Sequence, residues 1–174
     1  HGPGSDHAAM VNPAKLSPDR QLDLCMQCHL ETTSLRLPES FRRFGRGFYS
    51  YRPGEPLGDY MVRFDTPPSK ARDDRFEIVS AAYRMRQSAC FLKSAGRMTC
   101  LTCHSPHKPE PNYIAACQSC HGAAAHMSKG DCLACHMPRR RTEDVTHVVM
   151  TDHRIQRRKP GVDGRGVGVL HSPP

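Results

Sequence analysis

Eight cysteines and four histidines of this chain fall into four copies of the pattern C-x-x-C-H, at residues 25–29, 100–104, 117–121 and 132–136. In this pattern the two thiols add across the vinyl groups of a porphyrin, and the adjacent histidine coordinates the iron. Four copies in 174 residues leave little room for chance. The predicted attachment cysteines are Cys25, Cys28, Cys100, Cys103, Cys117, Cys120, Cys132 and Cys135, and the predicted proximal ligands are His29, His104, His121 and His136. The spacing therefore predicts four covalently attached c-type haems.

Histidines outside the motifs are candidates for the second axial position of each iron. Two imidazoles on one iron leave no coordination site open, which suits electron transfer. The preferred distal ligands are His107, His126, His147 and His153. His171, in a Gly-rich tail, is not expected to ligate. Methionine is an alternative ligand but usually packs as filler, and a histidine paired with a haem propionate is the alternative reading for each candidate.

The position of each distal candidate limits the iron that it can reach. His107 lies three residues after its own proximal histidine, so it should serve a neighbouring haem. The same argument applies to His126, between the third and fourth motifs. His147 and His153 lie in a segment that reads as extended, so we expect both to point inward but to different irons.

The composition is poor for an ordinary hydrophobic core. Only 37% of the residues are hydrophobic and 6% aromatic, with no Trp and 15 prolines. A chain of this size needs a sizeable apolar interior, which four haem discs would supply. We therefore expect a mainly α fold with extensive irregular backbone, a haem core, and little or no sheet.

The net charge of +8 would by itself suggest an anionic partner. Four haems bring about eight propionates, so internal neutralisation by Arg and Lys is the favoured reading, and nucleic-acid binding is not expected. The clusters Arg42, Arg43, Arg46, Arg139, Arg140 and Arg141 are expected to pair with propionates rather than to grip a substrate.

The motif spacing divides a single predicted domain, 1–174, into four segments. They are a first haem segment (1–30), an aromatic and basic insert with a helix (31–99), a three-haem segment (100–158) and an extended tail (159–174). The first two motifs are 75 residues apart, whereas the later intervals are 17 and 15, so haems two to four must lie close together. Haem one is either brought to them or held apart by the insert.

Local patterns predict a few elements. A helix is expected over 18–30, with Ser17 as its cap and the first motif in its last turn. A second is expected over 73–95, ended by Gly96, with Phe76, Val79, Tyr83 and Cys90 at roughly helical spacing. Cys90 would then be a small buried hydrophobe rather than a reactive thiol.

Two further stretches carry weaker patterns. Residues 145–150 read as a strand, and the tail after Pro160 as extended or docked on a neighbour. The insert concentrates aromatic rings that either close a local loop or pack on haem faces, and a mixture is expected. They are Phe41, Phe44, Phe48, Tyr49, Tyr51, Tyr60 and Phe64.

Covalent haem attachment takes place outside the cytoplasm, which predicts a periplasmic, cell-surface or extracellular protein. No apolar run approaches 18 residues, so no signal peptide or membrane span is expected within the chain.

Several stretches resemble bacterial multihaem cytochromes of the cytochrome c-554-like group, which often carry tetratricopeptide repeats. They are LDLCMQCHLETTS, RRFGRGFYSYRPGEPL, RFEIVSAAYRMRQSACFLKSAGRMTCLTCHSPH and CLACHMPRRRTEDVTHVVMTDHRIQRR, in order over roughly 20–158. The resemblance implies closely packed haems, histidine pairs and electron transfer, with His147 and His153 at positions that look like distal ligands. The 34-residue helical repeats are missing from this sequence.

The opening residues HGPGSDH are similar to the end of C-x-x-C-H-G-P-G-S-x-H, which is frequent in multihaem cytochromes. That similarity implies that His1 belongs to a fifth haem motif, upstream or on a neighbouring chain, and that His7 is a distal ligand. A terminus that happens to start with histidine is the alternative.

Three functions follow from these features, and an electron relay is favoured over an enzyme. The relay would exchange electrons with redox partner proteins or neighbouring subunits. A protomer of an extracellular filament is the first alternative, since head-to-tail contacts through His1 or His7 would build an open homopolymer. An oxidoreductase acting on small nitrogen or sulfur compounds is the second, and it would need an open iron face sheltered by the insert.

Overall fold

The computed structural model describes residues 11–29, 40–47, 49–63, 75–106, 112–122 and 131–156, with backbone alone at 40 and 41. The helices are α1 (Pro18–His29), α2 (Ala81–Arg86), α3 (Ala89–Lys93), α4 (Tyr113–His121) and α5 (Cys132–His136), with 3₁₀ turns at Pro13–Lys15, Leu57–Asp59 and Cys100–Thr102. The strands are β1 (Ser40–Arg42), β2 (Met61–Arg63), β3 (Arg139–Arg141) and β4 (Val149–Thr151). The described chain is thus mainly helical, as predicted.

The strands form two separate antiparallel pairs. In the first, Ser40 is opposite Arg63 and Arg42 is opposite Met61. In the second, Arg139 is opposite Thr151, the last residue of β4. Residues 152 and 153 follow directly after this paired position. The second pair therefore controls where one of the predicted distal ligands lies.

Helix α1 confirms the predicted helix over 18–30 to within one residue at its end. Pro18 occupies the first position, where its missing N–H costs nothing, and the Ser17 carbonyl accepts a hydrogen bond from Gln21 at 2.9 Å. Leu22 and Met26, one turn apart, form the buried face. The helix ends on His29, so the first motif forms its last turn.

The apolar core lies between α1, the insert and α2. Its buried members are Leu22, Met26, Tyr51, Leu57, Tyr60, Ala82 and Met85. Tyr51 and Tyr60 meet edge to face, with ring centroids 5.3 Å apart and an angle of 88°. Phe44 and Tyr49, by contrast, are exposed, so only part of the aromatic insert closes a local cluster. The side chains of Phe41, Phe48 and Phe64 lie outside the described residues.

The predicted helix over 73–95 is wrong in its extent and in its buried face. Residues 75–80 are not helical, and the helical part is divided between α2 and α3. The division falls at Ser88, whose hydroxyl accepts from the Phe91 N–H at 3.3 Å and so caps a new helix. Helix α2 buries Ala82, Arg84 and Met85. Helix α3 ends at Lys93, three residues before Gly96.

The predicted strand over 145–150 is displaced toward the C-terminus. Residues 143–147 form a turn, in which the Thr142 hydroxyl donates to the Val145 carbonyl at 2.9 Å. His147 has a φ of 65°, in the left-handed region that strands do not use. The strand β4 therefore begins only at Val149.

Candidate functional site

All four C-x-x-C-H motifs lie on single helical turns. The first and third are the last turns of α1 and α4, and the fourth is the whole of α5. The second begins as a 3₁₀ turn, in which the His104 N–H donates to the Cys100 carbonyl at 2.8 Å. A helical turn sets positions i, i+3 and i+4 on one face. Each motif therefore presents its two thiols and its imidazole to the same side.

The first motif lies beside the second, although 75 residues separate them along the chain. The Cys100 thiol donates a hydrogen bond to Cys25, which lowers the pKa of Cys25 to about 7, and the same bond, together with burial, raises the pKa of Cys100. The Thr99 hydroxyl also donates to the Gln21 side chain at 2.8 Å. The leading cysteines of motifs one and two are thus in direct contact.

The second, third and fourth motifs also lie side by side. Burial raises the pKa of the Cys103 thiol, and the nearby Cys117, Cys120 and Cys90 raise it further. Burial likewise raises the pKa of Cys117, which is close to Cys132 and Cys90 and hydrogen-bonds with Cys132. Motifs two to four are therefore contiguous in space, as their short intervals predicted.

The imidazoles of His104 and His153 face each other across the site. Their ring centroids are 6.1 Å apart and their planes differ by 27°. Burial lowers the pKa of both rings, and the nearby His29 lowers both further. Both imidazoles are therefore held toward the neutral form that binds metals.

Backbone carbonyls orient two imidazoles, one in the fourth motif and one among the predicted distal ligands. His153 Nδ1 lies 3.1 Å from the Thr151 carbonyl oxygen. His136 Nδ1 lies 2.5 Å from the Gln156 carbonyl oxygen. A carbonyl accepts only from a protonated nitrogen, so each ring keeps Nε2 as its lone-pair nitrogen. This outer hydrogen bond is the usual partner of a metal-binding histidine.

A buried ionic network holds the backbone beside His153. The Asp152 carboxylate accepts from Arg84 Nε at 2.8 Å and from Arg84 Nη2 at 2.5 Å. It also accepts from Arg140 Nη1 at 3.0 Å and from the Arg154 N–H at 2.9 Å. Although burial opposes ionisation, these donors hold the pKa of Asp152 below its usual value.

The sequence pattern missed this network. It suggested a propionate partner for Arg140 and gave no role to Arg84 or Asp152. The adjacency of Asp152 to a candidate ligand was the available signal. No local pattern could identify Arg84, which is 68 residues away.

The remaining histidine candidates divide into two groups. His147 is exposed on a turn, where its φ is 65°. His1, His7, His107, His126 and His171 lie outside the described residues.

Cys90 departs from its predicted role. It is half-buried and outside the apolar core, with its Sγ 4.0 Å from His121 Nε2. Helix α3 therefore turns this thiol toward the motifs rather than into a hydrophobic interior.

The donor set fits haem c. All nine cysteines are free thiols. Among the described side chains, no three or more His, Cys, Asp or Glu residues are grouped to hold a metal ion. A haem iron needs at most two protein ligands, since the porphyrin supplies the others. Paired thiols beside an imidazole, repeated on four turns, meet that requirement.

No protein family model, curated protein or solved structure matches this chain. Along the described residues, no helix combines the length and the apolar composition needed to cross a membrane.

Proposed function

We propose that this chain is a multihaem c-type cytochrome that relays electrons through four closely spaced haems, mostly with two histidine ligands each. The bound haems would supply the one-electron chemistry, and the polypeptide would supply their attachment, axial ligands and spacing. The proposal includes the relationship to the cytochrome c-554-like multihaem group that the sequence resembles.

The His104–His153 pair is the observation that carries this proposal. Metal–imidazole bonds are about 2 Å long, so two imidazoles on opposite sides of one metal have ring centroids about 6 Å apart. The observed separation is 6.1 Å. His104 follows the second pair of attachment cysteines, and the contact of His153 Nδ1 with the Thr151 carbonyl leaves Nε2 as the lone-pair nitrogen. The pair supports bis-histidine ligation of haem two.

The lack of buried residues around the second, third and fourth motifs supports a haem core. Among the described residues from 100 to 141, none is buried. Helix α4 carries Tyr113 and Ile114, and neither it nor α5 buries a residue against the polypeptide. Helices this short are not stable in water without an apolar surface to cover them. Haems attached to these helices would provide that surface.

The order of thiol contacts supports a continuous relay. Cys25 contacts Cys100 of the second motif, Cys103 of that motif is close to Cys117, and Cys117 contacts Cys132 of the fourth. Haems attached at these points would follow one another from the first motif to the fourth. An extracytoplasmic location follows from the attachment chemistry, and the partners would be redox proteins or neighbouring subunits at the two ends.

Covalent haem content tests the proposal. The chain is produced with a cytochrome c maturation system, and haems are counted by intact mass and by the reduced pyridine haemochrome spectrum. Wild type should carry four. Alanine at both cysteines of one motif, for example Cys132→Ala with Cys135→Ala, should leave three.

The matched control is Cys90→Ala, which removes a thiol outside the motifs and should keep four haems. A mature wild-type protein without covalent haem, or a motif variant that still carries four, would overturn the proposal. Redox titration of the four-haem protein should then show reversible one-electron steps at low potential.

A further inference from the structure

The thiol of Cys90 lies opposite the proximal histidine of the third motif. Cys90 is on α3 and His121 is the last residue of α4, 31 positions later. The distance from Cys90 Sγ to His121 Nε2 is 4.0 Å. Nε2 is the atom through which a C-x-x-C-H histidine binds iron. The thiol is therefore directed at the atom where haem three would be ligated.

From this placement we infer that Cys90 is the second axial ligand of haem three, giving that iron one imidazole and one thiolate. This rests on the proposed function. Metal–sulfur and metal–imidazole bonds are about 2.3 and 2.0 Å long, so trans ligands lie about 4.3 Å apart. The observed 4.0 Å is close to that value. Thiolate is an established axial ligand of haem iron.

The local structure holds Cys90 in place. Ser88, 1% exposed, donates its hydroxyl to the Met85 carbonyl at 2.6 Å and caps α3 through the Phe91 N–H. The cap fixes the start of α3, and with it the position of Cys90 relative to His121.

The two described histidines outside the motifs have other positions in the structure. Outside the motifs, the part of the chain that the structure describes contains His147 and His153. His153 faces His104, and His147 is exposed. When Cys90 binds ferric iron, its thiol proton passes to solvent and the sulfur donates an electron pair, with no change of oxidation state. The anionic ligand should make haem three the lowest in potential of the four.

Spectroscopy of the oxidised four-haem protein tests the inference without any substitution. Electron paramagnetic resonance and near-infrared magnetic circular dichroism distinguish imidazole–thiolate haem from bis-imidazole haem. One haem in four should have the imidazole–thiolate signature. Its absence from a protein with four attached haems would overturn the inference while leaving the proposed function intact.

Variants then locate the ligand. Cys90→Ala should keep four covalent haems but convert one to a high-spin form that binds CO when reduced. Cys90→His should restore a low-spin iron with the bis-imidazole signature. Leu92→Ala, on the same helix at a residue 69% exposed, should leave the spectrum unchanged.

Removing haem three tests whether its iron is the one that Cys90 binds. The variant with Cys117→Ala and Cys120→Ala, which keeps Cys90, should lose the thiolate signature, and adding Cys90→Ala should change nothing more. A Cys90→Ala spectrum identical to wild type would contradict the inference. Failure of wild type to attach any haem would instead contradict the proposed function, and the inference with it.

Discussion

Arg84 and Asp152 form a two-point ion pair whose side chains are almost completely removed from solvent. The relative exposure of Arg84 is 1% and that of Asp152 is 0%, and two hydrogen bonds of 2.8 and 2.5 Å join them. The pair ties α2 to the segment that follows β4. Because Asp152 precedes His153, this ion pair sets the position of a proposed haem ligand.

Removing one partner of this pair should destabilise the protein strongly. Arg84→Met would leave the Asp152 carboxylate buried with one fewer cation, and such a loss typically costs about 3–5 kcal/mol. Urea unfolding followed by far-ultraviolet circular dichroism measures the change. Arg139→Met, at an exposed position of β3, is the control and should change the free energy of unfolding by less than about 0.5 kcal/mol. Equal effects of the two substitutions would contradict the assigned role.

Substitution of His153 should expose one iron. In His153→Ala, haem two would keep His104 alone, so one haem in four should become high-spin and bind CO. Val149→Ala, an exposed residue on the preceding strand, should leave the haems unchanged. If Cys100→Ala and Cys103→Ala have already removed haem two, then His153→Ala should have no further spectral effect. If His153→Ala still produces a high-spin haem in the variant that lacks haem two, then His153 binds another iron.

Two phenylalanines should differ sharply in their contribution to stability. Phe76 is 1% exposed and lies under Arg140, whose guanidinium carbon is 4.8 Å from the ring centroid. Phe44 is fully exposed, at 105%. Phe76→Ala should therefore cost about 3–5 kcal/mol, and Phe44→Ala less than about 0.5 kcal/mol. Denaturant midpoints of the two variants compare them directly, and similar midpoints would be the contrary result.

Tyr51 should make stability depend on alkaline pH. Burial, followed by the nearby Asp23 carboxylate, raises the pKa of Tyr51 from 10.0 to about 12. The folded state therefore keeps the phenol proton that the unfolded state releases. This contribution is fully present below about pH 10 and is lost as the pH rises through about 12.

Tyr51→Phe should remove that dependence. The buried Tyr51 hydroxyl has no hydrogen-bond partner among the described residues, so at neutral pH the substitution should be neutral or slightly stabilising. Unfolding at pH 8 and pH 11 gives the comparison, with Tyr49→Phe at an exposed position as control. A neutral-pH loss above about 1 kcal/mol would show that the hydroxyl has a partner.

Prediction from sequence succeeded for elements that depend on residues close together in the chain. The helix that ends on His29 followed from a candidate cap at Ser17 and from the first motif as its last turn. It failed over 73–95, because Phe76 was read as part of a helical period although it lies before the helix. Tertiary contacts place that ring against Arg84 of the helix that follows it and against Arg140 of the distant strand β3, and no periodicity encodes such contacts.

The sequence by itself determined the proposed haem positions, because the two thiols and the proximal imidazole of each motif fit within one helical turn. Only the tertiary structure decided which groups face each other across those turns. His153 meets His104 across 49 residues, and Cys90 meets His121 across 31. Such pairings depend on how α2, α3 and the β3–β4 pair are packed, and in particular on the buried bond between Arg84 and Asp152. Contacts of this kind are set by packing in three dimensions, so a pattern along the chain can name the candidates but cannot pair them.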